Sequence, residues 1–203
     1  MRAKLMGLFL LGLVRLLTGS QARWYGCPPM AEQRIYFANH QSHVDLLLIW
    51  AALPQVLRTL TRPIAARDYW TRTPFREWIT TKIFHAIYVA RDRTADQDPL
   101  EPLVEALENG DSIILFPEGT RGLAEEPQAF KAGLYNLALR FPHVVLVPAW
   151  IANVQRVMPK GEVVPVPVLC SVTFGVPVKL EAGEDRRAFL ERAREAVIAL
   201  RDV

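Results

Sequence analysis

The chain has 203 residues, 51% hydrophobic and 22% charged, with a formal net charge of +3. That length suits one well-buried domain rather than two, and the balance excludes both disorder and a multi-span membrane protein. So small a charge gives no reason to expect a nucleic-acid partner. Two distant cysteines, Cys27 and Cys170, exclude a disulfide framework or a zinc ribbon as organising principle and agree with a reducing compartment.

The first element is an apolar run from Leu5 to Leu17, interrupted by Arg15. A spanning helix needs about 20 apolar residues, and this run is shorter. It can be a cleaved signal with Ser20-Gln21-Ala22 as its processing site, a core helix, or an amphipathic helix lying in the membrane interface with Arg15 reaching the headgroups. Trp24 and Tyr25 suit the interfacial reading, because both residues favour the headgroup level. The expected organisation is therefore a membrane-associating helix over 1–22 and a single domain over 23–203. Basic residues concentrate in the first 93 positions, which gives an anionic lipid surface or an acidic substrate something to meet.

Short apolar runs then alternate with helical stretches. Strands are predicted over 34–38, 63–66, 86–90, 112–116 and 144–150, with a strand-rich segment over 164–174. Helices are predicted over 44–53, 75–84 (opened by Pro74), 100–108 (closed by Asn109-Gly110), 130–140 and 186–200. The alternation predicts an α/β fold, a mostly parallel central sheet flanked by helices. In such sheets ligands bind beyond the carboxyl ends of the strands.

Polar clusters fall at those ends. The first strand runs into Asn39-His40, with Asp45 five residues beyond His40. In one continuous helix those two side chains would sit roughly 140° apart, so they meet only if His40 precedes the helix and Asp45 lies in its first turn. Ser42-x-x-Asp45 has capping-box spacing, so Asp45 can also be simply a helix cap. The third reading is a metal site built from His40, His43 and Asp45. As a dyad, the aspartate would fix the imidazole tautomer and the other ring nitrogen would accept a proton. Imidazoles titrate near neutrality, which suits a general base. Neither a serine elbow nor a cysteine in a nucleophile context is present, so the dyad would activate a hydroxyl that the substrate brings.

The strand at 86–90 ends in Arg91. The strand at 112–116 ends in Pro117-Glu118-Gly119-Thr120-Arg121, where Gly119 permits close backbone approach and Arg121 offers a forked donor for phosphate. Glu118, beside two arginines, is expected to stay ionised and to order them or bind a substrate hydroxyl.

Taken together these motifs resemble the glycerophosphate acyltransferase family. Asn39-His40-x4-Asp45 resembles its first motif, Phe116-Pro117-Glu118-Gly119-Thr120-Arg121 its third, and Val147-Pro148-Ala149-Trp150 its fourth, while Phe130-Lys131-Ala132-Gly133 resembles the segment after the third. Arg91 falls where the second motif's arginine stands, although Glu77 and Ala86 occupy positions where similar sequences carry glycine. The resemblance implies transfer of a fatty acyl group from acyl-CoA or acyl carrier protein to the free hydroxyl of a lysophospholipid, foremost 1-acylglycerol-3-phosphate, with lyso-ornithine lipid another possible acceptor. It implies His40 as base with Asp45 as its partner, and Arg91, Glu118, Gly119, Thr120, Arg121 and Lys131 on the substrate. It implies no resident cofactor or metal, and a peripheral, monotopic place on the cytoplasmic face of the inner membrane.

Overall fold

The computed structural model describes residues 2–19, 21–42, 44–90, 98–122, 124, 126–153 and 169–203. Within them the strands form one seven-stranded sheet. At its centre β2 (Arg34–Ala38) pairs in parallel with both β5 (Ser112–Leu115) and β6 (Val145–Ala152). Beyond β5 lie β3 (Thr61–Ala66) and β4 (Ile87–Val89), also parallel. On the other side β7 (Ser171–Phe174) runs antiparallel to β6 and carries β1 (Gln21–Trp24) in parallel along the outer edge. The sheet is mostly parallel, as the alternation of elements predicts, with two reversed strands closing one edge. Of the strand-rich reading of 164–174, residues 164–168 lie outside the described residues and β7 covers Ser171–Phe174.

Alternation along β2 assigns the two faces. Ile35 and Phe37 point into a cluster with α6 (Glu101–Glu108), α7 (Gly133–Arg140) and α8 (Arg186–Ile198). Tyr36 and Ala38 point the other way, against α2 (Asp45–Ala52) and Leu57 of α3 (Gln55–Leu60). Helix α2 is apolar all round because it is covered on both sides. Leu48, Ile49 and Ala52 meet the sheet, whereas Leu46, Trp50 and Ala51 meet an outer layer of α1 (Arg2–Thr18) and α5 (Pro74–Lys82). Two of these helices have legible starts. Pro74 opens α5 beneath a Thr73 cap that accepts from the Arg76 amide, and Asp185 caps α8 through the amides of Arg187 and Ala188.

Three elements are additional to those read from the sequence. β1 is a largely exposed four-residue segment with no alternating pattern, and pairing with β7 is what makes it a strand. Both α3 and α4 (Arg67–Trp70) are too short to show a helical period. Helix α7 starts at Gly133 rather than at residue 130, and ahead of it the Lys131 amide donates to the Pro117 carbonyl at 2.9 Å. That bond ties the start of α7 to the end of β5.

Helix α1 has one packed and one exposed face. Its Leu10, Leu11 and Val14 pack on the α2–α5 cluster, while Leu5, Leu8, Phe9 and Leu16 stand exposed, Leu16 at 81%. Among the described residues no helix is long and apolar enough to cross a membrane.

Candidate active site

The site begins where β2 stops. Asn39 is fully buried and extends the β2–β6 pairing with its side chain: Oδ1 accepts from the Ile151 amide at 2.8 Å and Nδ2 donates to the Ile151 carbonyl at 3.1 Å. An amide side chain thus replaces the next rung of the ladder and releases the backbone to turn. His40 follows, in the loop ahead of α2.

His40 Nδ1 lies 2.9 Å from Oδ2 of Asp45, the first residue of α2. That same oxygen accepts from the amides of Gln41 at 2.6 Å and Ser42 at 2.9 Å. An oxygen already accepting two N–H bonds takes a third only from a donor, so the ring hydrogen sits on Nδ1 and the Nε2 lone pair is left open. Asp45 has no exposed surface, and among the described residues its Oδ1 has no hydrogen-bond partner. The expected arrangement of loop histidine and first-turn aspartate is therefore the one observed. The capping reading is only half met: the Ser42 amide is bonded by Asp45, but Val44 is the N-cap residue and makes no side-chain cap.

The imidazole stacks on Phe116, with ring centroids 4.2 Å apart and planes within 17°. Its side chain is 21% exposed and forms part of the wall of a cavity of about 530 Å³. Most of that cavity is apolar: Leu46, Ile64, Trp70, Val89, Leu103 and Leu134 line it. Gly119, Thr120, Arg121 and Lys131 supply its polar part. Arg121 and Lys131 are exposed, and neither forms an ion pair among the described residues. Gly119 has φ +68°, and the Lys131 side chain crosses directly over it. A Cβ there would lie 2.5 Å from Lys131 Nζ, the far end of a side chain that can swing aside, so it is the positive φ that favours glycine.

Glu118 departs from expectation. The residue is 2% exposed, bonds no arginine among the described residues and is absent from the cavity wall. Oε1 accepts from the His40 amide at 2.7 Å and Oε2 from the Gln128 amide at 2.8 Å, while the Gly122 amide donates to the His40 carbonyl at 2.8 Å. Glu118 therefore clamps the histidine's backbone. A later loop supplies the burial, through Gln128, and a local motif cannot announce it. Burial pushes the Glu118 carboxyl above the ordinary carboxylate range. The two amide bonds and His40 oppose that rise, and Asp45 adds to it. Because the folded value exceeds the unfolded one, the group favours folding most at acid pH, and that contribution is lost as pH rises through the raised value. Glu118→Gln should flatten stability across that range in urea titrations. It should also cost about 1–3 kcal/mol at neutral pH, since its NH₂ would face one of the two amides now bonded.

Arg91 and His43 lie outside the described residues. Among the described residues no three His, Cys, Asp or Glu side chains converge to hold a metal. Ser42, Cys27 and Cys170 are buried, and burial raises both thiols, Cys170 to about 11. Asn39, Phe116 and Gln128 are site residues that motif spacing does not assign a role. For Asn39 the signal was a buried amide at a strand end.

The Acyltransferase family model matches residues 27–152. A 1-acyl-sn-glycerol-3-phosphate acyltransferase of Chlamydomonas reinhardtii is 27% identical over 140 residues, covering 66% of this chain and 39% of the relative. The human 1-acyl-sn-glycerol-3-phosphate acyltransferase alpha is 28% identical over 178 residues, covering 85% and 60%. The chain spans about half the length of the curated relatives it matches. The crystal structure of a 1-acyl-sn-glycerophosphate acyltransferase from Thermotoga maritima shares the fold, with a TM-score of 0.72 at 22% identity over 98% of this chain and 79% of that one.

Proposed function

The chain belongs to the acyltransferase family, and we propose that it transfers a fatty acyl group from an acyl-CoA or acyl carrier protein thioester to the hydroxyl of 1-acylglycerol-3-phosphate, yielding phosphatidic acid. One observation carries the reading. An imidazole oriented by a buried carboxylate presents its open Nε2 at a cavity that is apolar for most of its wall and doubly cationic elsewhere.

In this mechanism Nε2 takes the acceptor's hydroxyl proton as that oxygen attacks the thioester carbonyl. Asp45 stabilises the imidazolium so formed. The tetrahedral intermediate collapses with cleavage of the carbon–sulfur bond, and the proton passes from Nε2 to the departing thiolate. Acyl chain occupies the apolar part of the cavity, while Arg121 and Lys131 hold the acceptor's phosphate and so fix which hydroxyl reaches His40. Acyl-CoA or acyl carrier protein acts as a co-substrate, so the scheme calls for no resident cofactor.

Helix α1 supplies the membrane contact in this reading, from the cytoplasmic face of the inner membrane. Its exposed leucines and Phe9 form an apolar stripe, and Leu46, which lines the cavity, packs in the same cluster as Leu10, Leu11 and Val14. A lipid acceptor would thus have one layer of side chains between the bilayer contact and the cavity.

The test is acylation of lysophosphatidate by purified protein with each donor, beside a monoacylglycerol that lacks the phosphate. Arg121→Ala and Lys131→Ala should each raise KM for lysophosphatidate about 10–100-fold, the worth of one charge-assisted hydrogen bond, with little change for monoacylglycerol. Equal losses on both acceptors would remove these two residues from phosphate binding. No product from lysophosphatidate with either donor would defeat the assignment.

A further inference from the structure

Arg58 is placed where a cation is costly. It leaves the last turn of α3, lays its guanidinium over the Trp50 ring at 4.8 Å and donates from Nη2 to the Leu53 carbonyl at 3.1 Å. Among the described residues Nε is buried without a partner, and Nη1 makes no hydrogen bond. No carboxylate answers it among the described residues. Trp50, under its guanidinium, belongs to the cluster on which Val14 of α1 packs, and the next residue of α1, Arg15, is the charged group that acts on it. Burial first, and Arg15 second, lower its proton affinity. Arg15 is itself exposed and forms no ion pair among the described residues.

The surroundings of this pair are apolar and open. On α1, Leu8 lies two turns before Arg15 and Leu16 directly follows it, and they are 66% and 81% exposed. On α3, Val56 and Leu60 share one face and are 62% and 45% exposed. Two uncompensated guanidinium groups among solvent-facing aliphatic side chains match the boundary between acyl chains and phosphates in a bilayer.

We propose that Arg15 and Arg58 together form a binding site for the phosphate of an anionic phospholipid, apart from the catalytic cavity, which seats α1 and α3 on the membrane. The site rests on the reading that α1 docks to a bilayer and adds a second docking element, α3, together with a preference for anionic lipid. A phosphate between the two guanidinium groups would relieve their mutual repulsion and take the open Nη1 donor. The bidentate geometry that guanidinium offers to phosphate makes two arginines better suited than two lysines.

The full chain is sedimented with phosphatidylcholine vesicles, with and without a minority of phosphatidylglycerol, at constant ionic strength. Wild type should bind the anionic vesicles more tightly. Arg15→Gln and Arg58→Gln should each reduce that binding about fivefold, and the double variant about thirtyfold, with no change toward phosphatidylcholine alone. Because Arg58 also bonds the Leu53 carbonyl, Arg58→Gln is checked by thermal melting. Arg15→Gln, whose side chain makes no hydrogen bond among the described residues, carries the test alone if that variant unfolds. Turnover of a short-chain, monomeric acceptor should be unchanged in Arg15→Gln. Retention of the wild-type lipid preference by Arg15→Gln overturns the proposal. Equal binding of wild type to both vesicle types overturns it while sparing the docking of α1, and binding to neither overturns both.

Discussion

His40→Ala is expected to lower kcat/KM about 10³–10⁴-fold while the protein stays folded. The separation is possible because His40 does two jobs with different atoms. Its backbone holds the site together, through the amide bonded to Glu118 and the carbonyl that accepts from Gly122, and alanine keeps both. Its side chain stacks on Phe116 and bonds Asp45, and only these are lost. Removing a partly exposed ring in contact with an open cavity leaves little new void, so the melting temperature should move by only a few degrees. Circular dichroism melts beside steady-state rates read the two effects separately. A rate within tenfold of wild type would mean that another group takes the hydroxyl proton.

The layered α/β architecture was legible because buried strands and amphipathic helices differ in length and period. Ile35, Phe37, Tyr36 and Ala38 divide between two faces as alternation demands. What escaped were elements that owe their form to distant partners. Gln21–Trp24 becomes a strand only against Ser171–Phe174, some 150 residues away, and no local pattern anticipates it. The site divides in the same way. His40 and Asp45 are five apart, so their contact follows from where one helix begins, and a turn argument suffices to bring them together. Glu118 meets its donors at Gln128 and His40, which are 10 and 78 residues distant, and Lys131 overlies Gly119 through a separate loop. Motif spacing marks such residues as important without saying whether they face substrate or scaffold. Burial and partners come from the fold, and Glu118 is buried against the His40 and Gln128 amides.

Asp45 separates a catalytic role from a capping one. Asp45→Ala strips the acceptor from three donors, the amides of Gln41 and Ser42 and the His40 ring, in a position with no access to water. A loss of about 2–4 kcal/mol of stability should follow, together with most of the activity. Such a variant cannot tell the roles apart, because either would produce it. Asp45→Asn can. Its amide oxygen can take the place of Oδ2 and keep all three donors satisfied, while its NH₂ enters the pocket of Oδ1, which has no hydrogen-bond partner among the described residues. The burial of that unpaired NH₂ should cost about 1–3 kcal/mol, and the negative charge beside the imidazole is gone. If Asp45 only capped α2, kcat per folded molecule would be unchanged in Asp45→Asn and only the melting temperature would fall. With Asp45 acting through His40, kcat should drop about 10²–10⁴-fold, because the imidazolium formed during transfer loses its counter-charge. The double variant with His40→Ala should then be no slower than His40→Ala alone, since residues acting as one unit do not contribute additively. A double variant slowed by the product of the two single effects would show that Asp45 assists the reaction by a route that does not pass through the histidine.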